Sequence, residues 1–102
     1  MAEVTKEPIR AEASGELRIL HLEGQIGVAS ARRLLEIARR LGKDGRNVTV
    51  RCEHLTHLDC AAVQVLLALN ETLKGQGANL TMSNLPESVQ QTMRVAGLAD
   101  AW

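Results

Sequence analysis

Within nine residues the chain places Cys52, His54, His57, Asp59 and Cys60, side chains that can bind metals, act as nucleophiles or move protons. Read as Cys-x-His-x2-His-x2-Cys, the four nitrogen and sulfur ligands suit zinc by type, but a tetrahedral site needs all four to converge on one point. Val48, Val50 and Cys52 alternate with Thr49 and Arg51, which puts Cys52 on the apolar face of a strand and in the core. No metal site is therefore expected. His54 and His57 are expected as solvated loop residues and His21 as a strand residue at an exposed or edge position. His57 and Asp59 suggest a proton-transfer pair, but no serine nucleophile or oxyanion arrangement accompanies them, so no catalytic residue and no enzyme is expected. The glycines around Lys43-Asp44 and at Gly75 and Gly77 lack the phosphate-loop pattern and read as turns and helix stops. No cofactor is expected.

Asp59 stands just ahead of an apolar periodic run, where a carboxylate accepts N–H bonds from a helix's first turn. Cys60 then falls at the helix start, where the dipole favours a thiolate and the neighbouring Asp59 opposes it. A small, semi-buried residue is the simpler reading, and a thiol-based redox sensor is the alternative from a different class.

The elements that must position this stretch are legible from periodicity. Met1 to Glu7 reads as a frayed terminus or the lead into a first strand, Pro8 to Ala13 as a weak strand, and Ser14-Gly15 as a turn. In "ELRILHLEG", Leu17 and Ile19 share one face and Leu20 and Leu22 the other, as in a strand covered on both sides. Ala29 to Leu41 carries Leu34, Ile37, Ala38 and Leu41 at helical spacing, with Ser30 as its N-cap and Gly42 as its C-cap. "NVTVRC" is a strand, and Ala61 to Lys74 is a helix with a stripe of Ala62, Val65, Leu66, Leu69 and Leu73. "ANLTMS" is a short strand with Leu80 and Met82 on one side. A last helix begins near Asn84 or Leu85 and stops at Gly97. The order β-β-α-β-α-β-α predicts a single α/β domain over 1–102, a mixed sheet with helices packed on it.

Composition narrows the function classes. Hydrophobic residues make up 45%, yet there is no Phe or Tyr and one Trp, so the core is aliphatic. Trp102 is expected to cover the sheet edge or to anchor a partner. Twelve basic residues balance twelve acidic ones, without the basic patch or stacking aromatics that nucleic acid requires. No apolar run approaches the roughly 20 residues that cross a bilayer, and Met1 to Ala13 lacks an apolar signal segment. A cytoplasmic location with free thiols is expected.

The succession "VTVRCEHLTHLDCAAVQVLLALNETLKGQGANLTMSNLPESVQQTMRVAGL" resembles the STAS family, the domain shared by bacterial anti-sigma factor antagonists and sulphate transporters. The resemblance implies a STAS-like fold that binds a protein partner through the loop before the second helix and that helix's first turns. In the antagonists the Asp is commonly followed by a Ser that a partner kinase phosphorylates to switch binding off. Asp59 matches that Asp, but Cys60 stands at the acceptor position, where no phosphorylation is expected, and Ala62 stands where a Gly is usual. The implied contact surface is Thr56, His57, Asp59, Cys60, Ala61 and Gln64. The implied function is a protein-interaction module regulating a signalling partner, as an anti-sigma factor antagonist or an adaptor for a two-component or chemotaxis histidine kinase. The alternative is the STAS subunit of a lipid-transport ATP-binding cassette complex.

Overall fold

The computed structural model describes residues 8–95. Strands β1 (Ile9–Ser14) and β2 (Leu17–Ile26) form an antiparallel hairpin; helix α1 (Val28–Asp44) leads to β3 (Val48–Leu58), helix α2 (Cys60–Lys74) to β4 (Leu80–Ser83), and helix α3 (Glu87–Val95) follows. The sheet order is β1-β2-β3-β4, with β2–β3 and β3–β4 parallel. This is the mixed α/β sheet expected from the element order. Gly97, expected as a helix stop, and Trp102, expected as an edge cover or a partner anchor, lie outside the described residues.

One sheet face carries the core. Leu20 pairs with Val50 and Ile9 with Leu22 in register, and these side chains are buried with Val48 and Cys52. Leu34, Ile37 and Leu41 of α1 and Leu66, Leu69 and Leu73 of α2 join the same cluster. Burying a Leu or Val side chain in this way contributes about 1.5–3 kcal/mol. In α2, Val63 is buried and Val65 only partly so, a rotation of the apolar stripe from the one the spacing predicted. Leu17 and Ile19, on the other sheet face, are half-buried, so the double coverage expected of β2 is complete on one side only.

His21 is not at an edge. β2 lies between β1 and β3, and His21 Nε2 sits 2.5 Å from Glu12 Oε1 with its side chain only 15% exposed. That hydrogen bond holds the Glu12 carboxyl below its usual range. At the start of β2, Arg18 Nε donates to Asp44 Oδ2 at 2.6 Å, joining this strand to the end of α1.

Both caps of α1 differ from the sequence reading. The helix starts at Val28 behind Gly27, which makes no side-chain capping bond, and it ends at Gly45, whose φ of 70° is the left-handed conformation that closes a helix. Gly42 is instead buried inside the last turns, and a Cβ there would stand 3.2 Å from Thr72 Cγ2 of α2. It serves the contact between the two helices.

Candidate functional site

The stretch expected to be a loop is mostly strand. β3 continues to Leu58, and two register shifts against β2, between His21 and Glu23 and between Gly24 and Gln25, each insert one extra β3 residue. Gly24, on β2 opposite the second shift, takes φ 70°, a conformation open to glycine. The inserted residues change the burial spacing: Val48, Val50 and Cys52 are buried two apart, then Leu55 and Leu58 three apart. A strict period of two would have turned half of this segment outward. Thr56 is the inserted residue of the second bulge, and Thr56 and His57 are both exposed.

Asp59 caps α2 as expected. Its Oδ2 accepts from the Ala61 N–H at 2.9 Å, and the Val63 N–H donates to its carbonyl oxygen at 3.0 Å. Cys60 opens the helix with its side chain exposed, Ala61 is half-buried and Gln64 is exposed. Leu58 pairs with Ile26, so the starts of α1 and α2 stand side by side at the carboxyl ends of two parallel strands. Open α/β sheets commonly place their binding crevices at that end.

A residue the sequence reading missed completes this end. Val28, the first residue of α1, is 71% exposed, the one large hydrophobic among the described residues left so open. The misplaced N-cap hid it: with Ser30 as the cap, Val28 belonged to the preceding turn. The six expected residues lie at the end of β3 and the start of α2; Thr56, His57, Cys60 and Gln64 are exposed, and Asp59 and Ala61 are half-buried.

The thiols are chemically unlike. Cys52 is fully buried, its Sγ lies 3.8 Å from the Val50 carbonyl oxygen, and desolvation pushes its pKa up to about 12. Cys60 is exposed, and both are free. Since Cys52 points into the core while His54 and His57 are exposed, the strand does not bring the Cys-x-His-x2-His-x2-Cys side chains to one point. Among the described residues no three His, Cys, Asp or Glu side chains cluster as a metal site, and no helix is long and apolar enough to cross a membrane.

Comparison with known proteins agrees with this architecture. Residues 8–101 match the STAS domain, and the chain belongs to that family. Among solved structures, the phosphorylated form of the Bacillus cell fate determinant SpoIIAA superposes with a TM-score of 0.71 at 16% identity, over 90% of this chain and 86% of that one. A protein of Thermotoga maritima described as an anti-sigma factor antagonist gives 0.78 at 12% identity, over 90% and 80%. A protein named Mglu gives 0.65 at 21% identity; the match covers 78% of this chain but only 20% of Mglu. At these identities the likeness is one of fold. No curated protein matches the sequence.

Proposed function

We propose that this STAS domain is a non-enzymatic docking module that regulates a signalling partner by reversible binding, in the manner of an anti-sigma factor antagonist. Its binding face is the end of the sheet where α1 and α2 begin. The observation that carries this reading is the joining of the two helix starts at the carboxyl ends of parallel strands, where Leu58 pairs with Ile26 and the Asp59 N–H donates to the Ile26 carbonyl oxygen. Open α/β sheets commonly bind at that end, and the exposed Val28 adds apolar surface at the start of α1. Thr56, His57, Asp59, Cys60, Ala61 and Gln64 supply the rest of the surface. Small groups at Cys60 and Ala61 admit a partner's backbone, and the amides at the start of α1, without a side-chain cap, are donors for it.

With Cys60 at the position where antagonists carry the phosphorylated Ser, control by a serine kinase at that site is absent from this reading. A negative charge introduced there would act by the same physics, through desolvation and repulsion at a docked surface. The test is a hydrogen-exchange footprint with a partner recovered from the native cell. The reading expects slowed exchange at the amides of 27–29 and 59–64; protection confined to the far end of the sheet, around Arg18 and Asp44, would defeat it.

A further inference from the structure

We propose that the trough between α1 and α2 is a second part of the docking surface and receives an acidic amphipathic helix of a protein partner. The inference rests on the reading of this domain as a docking module. The trough measures about 480 Å³, is open to solvent, and has Leu35, Ala38, Val65 and Leu69 among its lining residues. Gly42 lets the two helices approach closely, since even a methyl group there would press on Thr72. Small residues at Ala38, Gly42 and Ala68 keep the floor shallow enough for a third helix to lie on it.

The trough and the proposed docking face lie along the same sides of the two helices. On α1, Val28, Leu35, Arg39 and Gly42 recur at intervals that keep them on one side of a helix, and on α2 so do Ala61, Val65, Ala68 and Thr72. Leu35, Arg39, Gly42, Val65, Ala68 and Thr72 line the trough, and Val28 and Ala61 lie further along the same helix sides, toward the helix starts. On α1 the lining runs from Leu35 to Lys43, about 12 Å at about 1.5 Å per residue, or a little over two helical turns. A small molecule in so open a channel would remain largely in water, whereas small-molecule sites bury about 70–90% of their ligand. A helix lying in the groove presents one face to it and keeps the other wet.

Charge sets the partner's sign. Arg39 and Lys43 are the ionised side chains that line the trough, and with Arg32 on the same flank they have no carboxylate partner among the described residues. By contrast, Arg10, Arg18, Arg46 and Arg51 each have one. Glu36 and Glu71 do not line the trough. A helix with Leu and Ala on one side and Glu along its flanks matches this arrangement.

The test uses the full isotope-labelled chain and two stabilised helical peptides of about four turns. One carries Leu and Ala at positions i, i+3, i+4 and i+7 with Glu elsewhere, and its twin has Lys for every Glu. The acidic peptide is expected to shift the amide resonances of Leu35, Val65, Ala68 and Thr72 and to bind at least about tenfold more tightly than its twin. The Arg39→Glu, Lys43→Glu double variant should invert that preference. Equal binding of the twins, or shifts lying elsewhere, would overturn the proposal. So would self-association of the chain through the trough, seen in sedimentation and abolished by the double variant. With the natural partner, loss of binding in Val28→Asp and Cys60→Asp but not in the double variant sinks the trough and leaves the docking face. The reverse pattern removes the face and keeps the trough.

Discussion

The main-chain N–H of Asp59 donates to the carbonyl oxygen of Ile26 across 2.8 Å. This bond extends the β2–β3 ladder by one step beyond the last strand pair, Ile26 and Leu58, and fixes where α2 begins relative to α1. Asp59 thus joins two tasks: its backbone ties the helix start to β2, and its carboxylate caps the helix through Ala61. The proposed docking face owes its shape to this residue.

Removing the carboxylate should loosen the helix start. Asp59→Ala is expected to lower unfolding free energy by about 1 kcal/mol, within the range of about 0.5–2 kcal/mol known for lost N-caps. Asp59→Asn should cost much less. Urea denaturation followed by circular dichroism measures both, and an unchanged midpoint for the Ala variant would mean that the cap contributes nothing.

The two glycines near the end of α1 should respond differently to alanine. At Gly45 the positive φ predicts a loss of about 1–2 kcal/mol for Gly45→Ala, while the flexible end of the Gln76 side chain can move aside from the added Cβ. At Gly42 the helix propensity gained, up to about 1 kcal/mol, offsets the push on the exposed Thr72 side chain, so Gly42→Ala should be close to neutral. Thermal unfolding of the two variants distinguishes them, and equal losses would return the helix end to Gly42.

These glycines also mark where the sequence stopped being legible. Alternation and helical spacing found all seven elements, because each buries an apolar face whose period survives in the residue order. The β3 segment from Glu53 to Leu58 read as a loop because two bulges change the burial period from two to three, and a bulge depends on the partner strand. Ser30 outranked Gly27 as a cap on intrinsic preference, yet the helix begins at Gly27 without a side-chain bond. Val28 was lost with that boundary. Asp59 was found because a capping carboxylate ahead of an apolar run is a local signal.

Cys52 gives the chain a pH dependence on the alkaline side. Burial raises its folded pKa to about 12, above the roughly 8.5 of an unfolded thiol, so the unfolded state loses its proton first. Stability is therefore unaffected by this group below about pH 8.5 and should fall between there and about pH 12, by at most about 1.4 kcal/mol per pH unit. Chemical denaturation at pH 8 and pH 10 checks this. Cys52→Ala should show a flatter fall, and a slope equal to that of the parent would assign the effect elsewhere. In the native state only Cys60 should react with a thiol reagent.

An anti-sigma kinase supplied with labelled ATP should leave Cys60 unmodified, because serine and threonine kinases phosphorylate a hydroxyl. Thr56 offers an exposed hydroxyl on the β3 bulge. Label at Thr56, abolished by Thr56→Ala, would show that control has moved to the strand end; no label on the chain would mark a constitutive binder.

Titration calorimetry of the natural partner against Cys60→Asp and Cys60→Ser tests the docking face most directly. The Asp variant should keep its fold, since a carboxylate is tolerated at a helix start. It should nevertheless bind about 1–3 kcal/mol more weakly, because the added charge sits beside Asp59 and must be desolvated on docking. Cys60→Ser should bind as the parent does. Parental affinity for the folded Asp variant would contradict the account, because the starts of α1 and α2 would then lie outside the interface.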